Sequence, residues 1–136
     1  MSREAALADG RRIAEEGMTS RCTVRRKTDQ TTDHPDLGEV PVWVDVYTDL
    51  PLKVAGFSRG QSQSRHVTTG GVEYEIAMRT DHFPALTTDL RDNDLVDVTS
   101  GDNTGLVQRL VETDWQDQAT AQRFPVVSVP RPEEWS

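Results

Sequence analysis

The chain has 136 residues, 35% hydrophobic and 28% charged, which suits one domain with a thin core and leaves much of the chain on surfaces or in loops. Its net charge of −8 excludes a free-standing binder of phosphate backbones, which needs clustered Lys and Arg to release counterions. A lone cysteine excludes an intramolecular disulfide, no Cys/His spacing fits a zinc site, and no run approaches the ~18 apolar residues of a membrane span.

The first element predicted is a helix over 1–17. Ser2 is placed to cap it, Glu4 brings negative charge to its first turn, Ala5, Ala6, Ile13 and Ala14 fill small or apolar positions, and Gly17 stops it. Leu7 and Ile13 are its only large apolar residues, so it requires a partner surface, on this domain or on a neighbour. "MSREAALADG" lacks the apolar stretch of a secretory signal, and the expectation is a chain that stays in the cytoplasm unless it leaves in a larger particle. Basic residues concentrate early, at Arg11, Arg12, Arg21, Arg25, Arg26 and Lys27. Arg11, Arg12, Arg25 and Arg26 are candidate subunit or partner contacts; a solvated helix face and an exposed strand edge are the plainer account.

After Met18 the periodicity becomes alternating. "RCTVRRKT" reads as a strand with Cys22 and Val24 on its inner face, and "TDQTTDHPDLGEVP" as a polar loop. "VWVDVYTDL" is a long strand, continued past Pro51 by "LPLKVAGF". Residues Ser58 to Gly71 form a long polar loop with Val67 as its one large apolar residue, a segment that cannot bury itself and that loops of this length reserve for function. "VEYEIAMRT" and "NDLVDVTSG" are strands joined by a turn-rich "DHFPALTTDLRD". "GLVQRLVETDW" and "FPVVSVP" are two more, and the tail over 131–136 runs extended or disordered, with a neighbour's surface as one place for it to lie. Trp43 and Trp135 are candidate interface residues, with core as the alternative for Trp43. The reading is mainly β: one domain, 1–136, whose 20–130 region is a small antiparallel β-barrel or sandwich behind a short N-terminal helix.

The catalytic signals fail on context. "GFSRG" spells the nucleophile elbow around Ser58, but an elbow needs a strand before the serine and a helix after it, and "QSQSRHVTTGG" has no helical period. His34 and His82 sit in turns, and His66 lies on the same polar loop as Ser58, poor support for a triad. Asp92, Asp94 and Asp97 suggest calcium, yet an EF-hand counted from Asp92 meets Asp97 where Gly belongs and Asn103 where Glu belongs. Two turns, Arg91 to Asp94 and Ser100 to Thr104, flanking a strand over Leu95 to Thr99, account for these residues more simply. No catalytic residue, metal or cofactor is expected.

The layout as a whole, with "EEGMTSRCTVRR", then "VYTDLPLKV", a polar loop and a late "LRDNDLVDVTSG", resembles a family of small neck proteins encoded by phages and prophages of actinobacteria. The resemblance runs from about Ala5 to Val129, through short and diffuse motifs. It departs at Asp49, where that family shows Gly after "YT", at Leu52 in place of a Cys, and at Asn93 in place of a Gly. It implies a head-closure or stopper subunit without catalysis, in a ring of six or twelve between the portal-adaptor assembly and the tail, retaining packaged double-stranded DNA in a virion assembled in the host cytoplasm. It also implies that the polar loop, with Ser58, Arg59, Gln61, Gln63, Arg65 and His66, projects toward a central channel. A tail-terminator or tail-completion ring is the nearest alternative, and a hydrolase using Ser58 a remote one.

Overall fold

The structure is a computed structural model that describes residues 2–55, 63–69, 72–111, 113 and 119–135, with backbone alone for 55, 63–69 and 72–78. Helix α1 (Arg3–Glu16) leads into seven strands: β1 (Ser20–His34), β2 (Gly38–Ala55), β3 (Gln63–Thr69), β4 (Val72–Pro84), β5 (Leu95–Ser100), β6 (Val107–Leu110) and β7 (Ala121–Ser128), followed by a 3₁₀ turn at Glu133–Trp135. The strand order is β2-β1-β5-β6-β7-β4-β3, every pairing antiparallel, and β2 also pairs with β4 over Lys53–Ala55. That second pairing joins β2 to β4 and closes six strands into a ring, which leaves no open edge within it.

Alternation fills the interior. Cys22 and Val24, Leu50 and Leu52, Phe83, Val96 and Val98, Leu110, and Phe124 and Val126 come from the six ring strands and form one cluster with Leu90. Phe83 and Phe124 meet with centroids 6.0 Å apart. The β1–β2 register slips between Cys22 and Val24, so β2 carries an extra residue there, and Asp49 in this bulge takes φ 51°. Asn93, in the turn closed by Asp94 N–H donating to the Arg91 carbonyl at 3.2 Å, takes φ 73°. Asp and Asn tolerate this left-handed backbone better than other non-glycine residues, because their short polar side chains bond locally.

Two hairpins outrun the ring. β5 pairs with β1 only over Arg21–Arg25, so the remainder of β1 and the first part of β2 form an arm on the order of 25 Å long. The polar segment 28–41, expected as a loop, is instead the two halves of this arm around a tight turn. Strand alternation shows in a sequence only when one face is buried, and most of this arm is exposed on both. At its tip His34 Nδ1 accepts from the N–H groups of Asp36 (3.1 Å) and Leu37 (3.2 Å), and Gly38 supplies φ 77°. The second hairpin is β3 with the first half of β4, Gln63↔Met78 to Thr69↔Val72. β2 runs from the first arm to Ala55, where it meets β4 emerging from the second, so the arms leave the ring at opposite ends.

Helix α1 is capped as predicted, Ser2 Oγ accepting from Ala5 N–H at 3.1 Å, but buries no residue. It rests on the segment before β7: Arg11 Nε donates to the Ala119 carbonyl at 3.2 Å, and a Cβ at Gly10 would lie 2.8 Å from Thr120 Cγ2, closer than such contacts allow.

Candidate functional site

Of the channel-loop residues named from sequence, Ser58, Arg59 and Gln61 lie outside the described residues. Gln63, Arg65 and His66 are not on a loop; their backbones sit in β3, opposite Met78, Ile76 and Glu75. Polarity on both faces hid this strand just as it hid the first arm. The chain described next, from Gln63, is a strand, while "GFSRG" itself lies outside the described residues.

The nominated arginines are engaged within the chain. Arg12 reaches Glu16 at 2.9 Å and Asp9 at 3.5 Å along its own helix, and Arg11 holds Ala119. Arg26 forks onto Asp94 with bonds of 2.9 and 2.8 Å, and Asp94, 1% exposed, also accepts from Arg91 N–H at 2.9 Å. This hydrogen-bonded pairing is the main cause that raises the Arg26 pKa. Asp92 binds Thr113 through its N–H (3.0 Å) and hydroxyl (2.9 Å), and Asp97 is gripped by Arg131 at 3.0 and 3.2 Å. Asp92, Asp94 and Asp97 thus serve three different partners, as turn and strand anchors.

Trp43 and Trp135 meet each other. The tail, expected to run extended, turns at Glu133–Trp135 and folds back onto its own chain. The Trp135 ring lies edge-on to Trp43 with centroids 5.2 Å apart, beneath the Arg25 guanidinium at 4.4 Å and near that of Arg131 at 5.5 Å. Trp43 Nε1 donates to Glu134 at 3.0 Å. The tail thereby braces the root of the β1–β2 arm, beside a groove of about 310 Å³ between the arm and Trp135.

Three features escaped the sequence reading. Inside the ring, Asp81, Gln108 and Gln122 are fully buried among apolar side chains. With its amide turned to satisfy both groups, Gln108 donates to both carboxylate oxygens of Asp81, to Oδ1 at 3.2 Å, while Gln122 donates to the Ala85 carbonyl at 3.0 Å. Burial pushes the Asp81 pKa up to about 7, against the smaller opposing effects of Gln108 and Arg79. Burial, assisted by Asp81, Asp97 and Asp49, pushes the Cys22 thiol up to about 12.

On the outer wall, Lys53, His82 and Arg123 stand side by side across β2, β4 and β7, through the pairs Lys53↔His82 and His82↔Arg123. Burial lowers the His82 pKa, and Arg123 and Lys53 lower it further. At the tip of the first arm, Asp33 lies directly opposite Glu39, with Asp36 in the turn between them. Cross-strand positions come from segments far apart in the chain, so neither the basic row nor the buried polar cluster has a local sequence signature.

No curated protein and no solved structure matches the chain. A family model does match, over residues 10–127, and its description is that of a family of unknown function, DUF6093. That span takes in both hairpins and all of the closed ring but the last residue of β7, and the chain belongs to the DUF6093 family.

Proposed function

We propose that this chain is a structural subunit of a phage neck, a head-closure ring that retains packaged DNA and presents a docking surface to the tail. The observation that carries this reading is the pair of β-hairpin arms leaving a closed ring of strands at opposite ends. Long hairpin arms and a helix without a buried residue add little to a lone domain, whereas a ring subunit uses such parts to touch its neighbours above, below and beside it.

Two departures from the neck-protein pattern add support. Where that pattern has Gly, this chain has Asp49 and Asn93, and these are the non-glycine residues with positive φ among those described. Both positions thus hold a left-handed backbone that a Gly would also adopt.

In this reading six or twelve copies sit between a portal-adaptor ring and a tail terminator, in a virion assembled in the host cytoplasm. The role is non-catalytic, without cofactor or membrane. The net charge of −8 keeps phosphate from sticking as DNA passes. In this reading the β3–β4 hairpin, rather than a loop, is the part that projects to the channel, and Arg59 and Arg65 are the residues that would contact the DNA end. The test is nuclease protection during packaging: heads filled with the purified protein present should hold their DNA in a nuclease-resistant form, whereas heads filled without it should release their DNA to the nuclease. An Arg59→Ala/Arg65→Ala variant should protect less well. Heads equally resistant with and without the protein would reject a closure role and favour a tail-terminating ring.

A further inference from the structure

The outer wall of the ring carries an arrangement that is unfavourable within a single chain. Lys53, His82 and Arg123 are direct cross-strand neighbours on one face, since Leu52, Asp81, Phe83, Gln122 and Phe124 on either side of them are buried. Lys53 and Arg123 flank His82 and both disfavour its charged form, so the row holds two cations on one face with no counter-charge beside them among the described residues. The next positions on that face of these strands are Pro51, Ala55, Thr80, Pro84, Ala121 and Pro125, so among the described residues of the three strands no carboxylate adjoins the row. Among the described residues Lys53, His82 and Arg123 make no ion pair, in a chain whose 23 acidic residues outnumber its 15 Lys and Arg.

The arm tip has the same fault with the opposite sign. Asp33 faces Glu39 across the hairpin, with Asp36 in the turn, and segment 28–41 contains no Lys or Arg. Among the described residues no cation pairs with Asp33, Asp36 or Glu39. The two patches cannot neutralise each other within one chain. The row lies on the order of 30 Å up β2 from the root of the arm, and the arm points the other way.

We propose that copies of this chain associate head to tail, the acidic tip of the β1–β2 arm of one copy docking on the Lys53–His82–Arg123 row of the next. The sizes agree: the row spans two strand spacings, about 10 Å, and the carboxylates of the tip are grouped within one hairpin turn. A nucleic-acid phosphate backbone would also be attracted to the row, but three basic groups in a strongly acidic chain release too few counterions to hold it, and the arm would stay unmatched. Because arm and row are different surfaces, the contact is heterologous and propagates into a closed ring or an open filament. The proposal rests on the ring reading above only in taking the partner to be a second copy.

The experiment is sedimentation velocity of the purified full chain across concentration, at low and high salt. The native chain should self-associate, and less so at high salt. Lys53→Glu/Arg123→Glu and Asp33→Lys/Asp36→Lys/Glu39→Lys should each weaken association by about tenfold or more, with unfolding midpoints showing that both remain folded. A chain carrying all five substitutions should associate again, as should a mixture of the two variants, since each charge pairing is then restored. A native chain that stays monomeric at low salt, or variants that associate as the native chain does, would overturn the proposal. So would a row variant that loses only duplex-DNA binding, which would assign the row to nucleic acid. Each of these results leaves the nuclease-protection test standing.

Discussion

Asp81→Asn should make the protein more stable at neutral and alkaline pH and change little in acid. Asp81 is fully buried, and its pKa rises from 3.8 to about 7 chiefly because burial disfavours the carboxylate. A raised carboxyl pKa means that the folded state binds its proton more tightly than the unfolded state does. Stability from this group is therefore complete below about pH 4, declines as pH rises, and is gone above about pH 7. At roughly 1.4 kcal/mol per pKa unit, the full swing is on the order of 4 kcal/mol. Asn has nearly the same shape, retains an amide partner for Gln108, and carries no charge to bury. Urea unfolding followed by tryptophan fluorescence, at intervals from pH 4 to pH 8, gives the difference between the two proteins directly. That difference should start near zero and grow in favour of Asn by several kcal/mol. Parallel curves would show that Asp81 does not titrate inside the ring, and the electrostatic reasoning for the interior would fall with it.

Four further outcomes follow from the packing. Arg26→Ala strands the buried Asp94 carboxylate and should cost about 3 kcal/mol in equilibrium unfolding, with the loss largest at neutral pH. Asn93→Gly should be nearly neutral, whereas Asn93→Ala, which must hold φ near 73° without a polar side chain, should cost about 1–2 kcal/mol; Asp49 should behave alike. Trp135→Ala removes the stacking partner of Trp43 and Arg25, and should cost about 2 kcal/mol while speeding amide exchange along the arm strands. Cys22, fully buried with its thiol pKa pushed up to about 12, should resist thiol reagents at pH 8 until urea unfolds the chain.

The fold was legible in the sequence wherever a strand has one wet and one dry face. Cys22 and Val24 read as inward-facing and are; the turn at Arg91 to Asp94, the β5 strand and the capped helix fall where expected. Segments polar on both sides look like loops in the sequence, yet they form the outer half of β1, the start of β2, and β3. Their hydrogen bonds depend on a partner strand, not on burial, and so leave no period in the residues. β4 also runs on through Asp81, His82 and Phe83 to Pro84, because the wall it joins there is set by β2 and β7. "VPRPEEWS" shows no local sign of its fold for a related reason: what holds Trp135 is Arg25, Trp43 and, through Arg131, Asp97, contributed by three separate strands.

The neck assignment meets its most direct test in electron microscopy of phage particles assembled without this protein. The account predicts full-sized heads that have lost their DNA beside free, finished tails. Stable DNA-filled heads lacking tails would move the protein to a tail-docking role, and normal infectious particles would contradict the neck assignment outright.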